Sequence, residues 1–287
     1  MEIRTPLAVL ERPLSAVILD VDGVVLDTMR PQYEWLRSVA DHYCRPWRFG
    51  TYGQEFLETY MGWLERKGMP GIYEMLGLDF NTHGEEIWKL YDAFNRAHPI
   101  GIVEVEGVSV GVAIKELATR GSCSRVRSTR LRLAANTTKG YDNLESILGK
   151  NGLWSCFDTI VTYDDLFRIL GDGVAKRSGE NDPKAFRKLV PGNVMKYAEK
   201  PNSLSAALTI SRLGTGVRSL LAVEDTPAGI RTYKPVQLPE GPKRAYVVGV
   251  TWGFEPDPEK LFAAGAEAVI DRPEELVEIV KETGGFS

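Results

Sequence analysis

The apolar run Ala16-Val17-Ile18-Leu19 breaks off into Asp20-Val21-Asp22-Gly23, and no other stretch constrains the chain as much. A β-branched apolar run of this length predicts a strand buried on both faces, as in a parallel sheet flanked by helices. In open α/β sheets, ligand chemistry gathers just beyond the carboxyl ends of such strands, which is where Asp20 and Asp22 fall. A spacing of two in extended chain aims both carboxylates to one side, so a cation or a shared proton has to offset their repulsion. A divalent metal meets that need most simply. Gly23 lets the chain leave the strand sharply. A surface turn or a calcium loop is the alternative account of the same residues.

A second buried-strand pattern, Ser219-Leu220-Leu221-Ala222-Val223, also ends in carboxylates, Glu224 and Asp225. Hard magnesium prefers oxygen ligands and keeps several waters, so a few carboxylates from adjacent strand ends suffice to hold it. N-capping of the helix that follows is the structural alternative for Glu224-Asp225.

Asp20-Val21-Asp22-Gly23-Val24, with Asp27-Thr28 following, resembles the first motif of the haloacid dehalogenase superfamily. Glu224-Asp225-Thr226-Pro227-Ala228-Gly229-Ile230 resembles its fourth, in the Glu-Asp-Ser/Thr-x-x-Gly-Ile form. The resemblance implies that Asp20 is a nucleophile and Asp22 an acid/base. It implies magnesium held by Asp20, the backbone carbonyl of Asp22 and Asp225, with Glu224 binding directly or through water. Lys200-Pro201, ahead of a helical stretch from Ala206 that ends at Gly214, is the best match to the third motif. There a fixed ammonium neutralises the attacking carboxylate and the phosphoryl oxygens. Ser203 and Leu204 stand where relatives carry Pro and Asp, and Lys196 competes with Lys200 for the role.

The second motif departs most. Leu131-Arg132-Leu133-Ala134-Ala135 reads as a strand, followed by a helix with Leu144, Ile147 and Leu148 on one face. Aligning on the Asn puts Ala135 where relatives carry a Ser or Thr that holds a phosphoryl oxygen. Asn136 or Thr137 is expected to supply that hydrogen bond instead, although either would also serve as a helix N-cap.

The expected fold is α/β, a Rossmann-like three-layer α/β/α parallel-sheet core with an inserted helical cap. The core comprises residues 1–28 and 103–287 and the cap 29–102, read from helical spacing in Tyr33-Leu36-Val39-Ala40-Tyr43, Phe56-Leu57-Tyr60-Trp63-Leu64 and Ile87-Leu90-Tyr91-Phe94. The resemblance implies a cap that closes over the site and selects the substrate. Trp35, Trp47, Trp63 and Trp88 read as bundle core. Val108, Val112, Ile114 and Leu117 predict a helix that ends before Gly121. Residues 122–130 form an arginine-rich loop, Tyr163-Asp164-Asp165-Leu166 a turn or groups in the metal's outer shell, and 167–196 and 233–243 insertions. Gly249-Val250-Thr251-Trp252-Gly253-Phe254 matches a signature of phosphoglycolate-phosphatase-like members of the superfamily.

At 287 residues with a formal net charge of -4, the chain is long enough for a large core and is no general nucleic-acid binder. Cys44, Cys123 and Cys156 are scattered without ligand spacing, as free thiols in a reducing compartment would be. No stretch reaches membrane-spanning length and no signal peptide is evident, so a cytoplasmic protein is expected. The resulting expectation is a magnesium-dependent phosphatase acting on a small phosphomonoester, phosphoglycolate-like or a sugar phosphate, through an aspartyl-phosphate. The alternatives are a sugar phosphomutase of the β-phosphoglucomutase type and a catalytically impaired binding or regulatory homologue.

Overall fold

The computed structural model describes residues 14–122, 130–178, 200–238 and 245–283. Chain order is β1 (Ala16–Asp20), α1 (Met29–His42), α2 (Gln54–Glu74), α3 (Phe80–Ala97), β2 (Glu104–Val105), β3 (Val108–Ser109), α4 (Val110–Ser122), β4 (Arg132–Asn136) and α5 (Tyr141–Lys150). There follow β5 (Thr159–Val161), α6 (Tyr163–Ser178), α7 (Leu204–Leu213), β6 (Leu220–Glu224), α8 (Pro227–Tyr233), β7 (Tyr246–Val250), α9 (Pro258–Ala264), β8 (Ala268–Ile270) and α10 (Pro273–Glu282). The chain divides into two compact units, one running to Val25 and resuming at Ile102, the other Leu26–Gly101.

The first unit is built on a six-stranded parallel sheet in the order β5-β4-β1-β6-β7-β8. Strand β1 is central, and every one of its residues is buried, as its unbroken apolar run requires of a strand covered on both faces. One layer of core joins Ile18, Ala134 and Ala222 to Ala206 and Ile210 of α7, Ile230 and Tyr233 of α8, and Leu261 of α9. Helices α4 and α10 pack together, and each meets the sheet. The chain fills the sheet from β1 outward through β4 and β5, then returns to β6 on the other side of β1. That reversal opens a crevice at the carboxyl ends of β1, β4 and β6.

The second unit consists of α1, α2 and α3 with their connections. Trp35 is buried, and its ring meets Tyr91 and Phe94 at centroid distances of 5.3 and 5.6 Å. Tyr33, Trp47, Phe49 and Phe56 form another edge-on cluster.

Four local expectations are corrected. The helix expected near Gly107 starts only at Val110, because Glu106 and Gly107 both take positive φ, 50° and 83°, and turn a hairpin that pairs Val105 with Val108. Val112, assigned to the apolar face of that helix, is 60% exposed. Gly121 lies inside the helix instead of after it. Tyr163–Leu166 opens α6, which runs into the expected insertion as far as Ser178; most of the arginine-rich loop, Lys196 and the rest of the insertion lie outside the described residues.

Candidate active site

The crevice gathers side chains from three strand ends. Asp20 closes β1, and Asn136, its register partner, closes β4; Glu224 closes β6, with Asp225 next. Asp20, Glu224 and Asp225 are all buried, and one carboxylate oxygen of each lies within 4.8 Å of the others. Three crowded carboxylates in a low-dielectric site need positive charge.

Part of it comes from Lys200. Its Nζ lies 2.9 Å from Asp20 Oδ1 and 2.8 and 2.9 Å from the two oxygens of Glu224. Burial alone would favour the neutral amine, but the Asp20 and Glu224 charges outweigh it and hold Lys200 protonated well above the ordinary lysine range. Asp20 is shifted upward by burial and the neighbouring Asp22, with Lys200 opposing.

Asp225 makes no such contact among the described residues. Its Oδ2 accepts from Phe254 N at 2.8 Å, while its buried Oδ1 has no hydrogen-bond partner among the described residues. Its carboxyl is pushed up to about 8, by burial first and by Asp20 next. An orphaned carboxylate oxygen, an all-oxygen donor set and excess negative charge fit a hard divalent cation. Glu224-Asp225 do not cap the following helix. Thr226 does, its hydroxyl accepting from Gly229 N at 3.0 Å.

The segment after β7 is shaped around Asp225. A Cβ on Gly253 would stand 2.2 Å from Asp225 Cβ and 2.4 Å from its Oδ2, so only glycine lets this turn approach. Trp252 Nε1 donates to the Val24 carbonyl at 3.2 Å, tying the turn to the loop that carries Asp22. Gly253→Ala is expected to destabilise the protein by about 1–3 kcal/mol, the usual cost of an overpacked buried site. Thermal melting of the variant checks this; an unchanged midpoint would show that Asp225 can move aside at little cost.

The two expected second-motif donors point to different places. Asn136 is fully buried, and its amide donates to Tyr233 Oη at 2.8 Å and Ser205 Oγ at 3.3 Å. Thr137 lies beside the first motif, its hydroxyl donating to Asp22 Oδ2 at 3.3 Å. Lys139 Nζ sits 2.7 Å from Asp22 Oδ1, a contact for which the sequence gives no motif. Asp164 and Asp165 are engaged elsewhere. Asp164 accepts from Tyr141 N, and Asp165 accepts from Thr162 and pairs with Arg212 at 2.6 Å.

No family model matches the chain. The "Phosphorylated carbohydrates phosphatase" of Thermotoga maritima is 27% identical over 269 residues, covering 94% of this chain and 99% of that protein. Pyrophosphatase PpaX of Bacillus velezensis is 27% identical over 157 residues, 54% of this chain and 62% of its own length. Among solved structures, a haloacid dehalogenase-like family hydrolase from Streptococcus pneumoniae superposes with a TM-score of 0.55 at 12% identity, covering 92% of this chain and 97% of its own. CbbY from Rhodobacter sphaeroides, solved with phosphate, gives 0.57 at 17% identity, over 93% and 99%. The parallel sheet with its reversal beside β1, the carboxylates at the ends of β1 and β6, and these likenesses converge: the chain has the fold of haloacid dehalogenase-like hydrolases and is similar in sequence to phosphatases.

Proposed function

We propose that this protein is a magnesium-dependent phosphatase that hydrolyses a small phosphorylated carbohydrate or similar phosphomonoester. The observation that carries the reading is the Lys200 ammonium shared between Asp20 and Glu224, beside an Asp225 oxygen that lacks a hydrogen-bond partner among the described residues. The substrate class follows the name of the Thermotoga maritima relative.

In this reading, an Asp20 oxygen attacks phosphorus in line, and the bond to the leaving alcohol breaks as an aspartyl-phosphate forms. Asp22 gives its proton to the departing oxygen, then takes one from the water that hydrolyses the acyl phosphate. Lys200 holds Asp20 in place and offsets charge on the phosphoryl oxygens. Asp20, Asp225 and the Asp22 carbonyl, with Glu224 adjacent, would hold magnesium, which when bound supplies further positive charge against those oxygens. Residues 29–102 act as the substrate-selecting cap domain, and residues 1–28 and 103–287 as the core.

The cation has a consequence that needs no substrate. Without it, the folded protein keeps a proton on Asp225 up to pH of about 8, whereas the unfolded chain releases it near 3.8. A carboxyl raised on folding contributes stability fully below the lower value, and that contribution is lost as pH rises through the upper one. Metal-free protein should therefore lose stability between about pH 4 and 8. Magnesium should restore it most at the alkaline end, by about 2.7 kcal/mol at a hundredfold excess over Kd. Thermal melts with magnesium or chelator at pH 5 and 8, together with phosphate release from a panel of phosphomonoesters, test the reading. Full activity in exhaustive chelator would rule out the metal. Isomerised hexose phosphate in place of free phosphate would turn the assignment from phosphatase to mutase.

A further inference from the structure

We propose that the turn between β4 and α5 is a clamp for Asp22, in which Lys139 and Thr137 are positioning residues that fix one rotamer of the carboxylate. The kinetic consequence rests on the phosphatase reading above; the clamp itself rests on geometry.

Both Asp22 oxygens face this one turn, Oδ1 as an ion pair without a hydrogen bond and Oδ2 as an acceptor, which leaves the carboxyl room for the proton of a general acid. Oδ1 meets Lys139 Nζ at 2.7 Å, and Oδ2 accepts from Thr137 Oγ1 at 3.3 Å. The two holders are joined to each other, since Lys139 N donates back to Thr137 Oγ1 at 3.0 Å. A threonine hydroxyl has a single proton. While Thr137 gives it to Asp22, it has none for a phosphoryl oxygen, which separates its role from that of the Ser or Thr in the superfamily's second motif.

The turn is anchored on the side away from Asp22. Thr137 N donates to the Val161 carbonyl at 3.0 Å, and Tyr163 N donates to the Lys139 carbonyl at 3.0 Å, so β5 and the start of α6 fix its backbone. Tyr141 N adds a bond of 2.8 Å to Asp164 Oδ2. The side chains of Lys139 and Asp22 are 14% and 23% exposed, so their ion pair is far less screened than one on the open surface. A general acid must meet the leaving oxygen at hydrogen-bond distance, and a misplacement of about 1 Å costs about a hundredfold in rate. The clamp supplies that placement from a segment outside the loop carrying Asp22.

The effect should depend on the leaving group. An aryl phosphate departs without a proton, whereas an alkyl phosphate needs one from Asp22. Lys139→Met, Lys139→Arg and Thr137→Val would be assayed by rapid quench of the first turnover on p-nitrophenyl phosphate and on a hexose phosphate. Lys139→Met should slow the hexose phosphate reaction by about a hundredfold and leave the aryl reaction nearly unchanged, with KM preserved for both. Lys139→Arg should recover most of the loss, and Thr137→Val should show a smaller loss of the same pattern. A crystal structure of Lys139→Met should show Asp22 in more than one rotamer.

A raised half-saturating concentration with an unchanged first-turnover rate on both esters would make Lys139 a substrate-binding group and overturn the proposal, as would equal losses of first-turnover rate on both. Asp22 held unmoved in one rotamer in Lys139→Met would overturn it directly. If the wild-type protein cleaves neither ester, the phosphatase reading fails, and the rotamer alone then decides the clamp.

Discussion

Asp20→Asn is expected to lower phosphomonoester turnover by at least about a thousandfold, as loss of an attacking nucleophile does in enzymes that form covalent intermediates. The amide cannot attack phosphorus, and among the described residues the neighbouring carboxylates are engaged, Asp225 as a proposed metal ligand. Glu224 is committed to Lys200, and Asp22 faces Lys139 and Thr137. The fold should survive. Removing the Asp20 charge gives up one contact of Lys200 but relieves the repulsion that raises both Asp20 and Asp225. The variant should therefore melt close to the wild type, and less of its stability should be lost as pH rises from about 4 to 8. Wild-type turnover in folded Asp20→Asn would remove Asp20 from the chemistry.

Lys200→Met should damage the fold as well as the activity. Glu224 is fully buried, and both its oxygens are bonded to Lys200. Taking away the cation strands that carboxylate in a dry site, an effect worth about 3–5 kcal/mol when one member of a buried ion pair is removed. Asp20 loses its fixed ammonium in the same step, so turnover should fall by at least about a hundredfold. A paired variant separates the two losses: adding Glu224→Met to Lys200→Met removes the stranded charge, and should recover stability without recovering activity. Denaturant unfolding of both variants beside the wild type checks this. Equal stability in Lys200→Met and wild type would mean that water or another cation reaches Glu224.

Fold class and strand ends were legible because their causes are local. A β-branched run that ends in carboxylates, as at Leu19-Asp20 and Val223-Glu224, has few places to go other than the carboxyl edge of a buried parallel strand. The hairpin after residue 103 was not legible. Its strands are two residues long, and Glu106-Gly107 is a weak turn signal beside the Asn-Gly or Asp-Gly pairs that favour positive φ. Val112 misled because apolar spacing cannot say which side of a short helix faces the sheet.

The site divides in the same way. Asp20, Asp22, Lys200, Glu224 and Asp225 stand in recognisable strings, and the structure brings them to one end of the sheet. The partners of Asn136, Ser205 on α7 and Tyr233 on α8, are distant in sequence and carry no motif. Lys139 lies in a polar turn, where a lysine is unremarkable until its ammonium is seen against Asp22. The Thr251-Trp252-Gly253-Phe254 string could be matched to relatives, but its physical reason, a glycine that admits Asp225 and an amide that binds it, needs the fold.

If the phosphoryl group passes to Asp20, acid quench of the reaction with a radiolabelled phosphomonoester, in the presence of magnesium, should trap it there. Label is expected on the protein during the first turnover, labile to hydroxylamine, confined to the peptide that contains Asp20 and absent from Asp20→Asn. Rapid release of phosphate with no label on the protein at any time, or label on a peptide lacking Asp20, would contradict it.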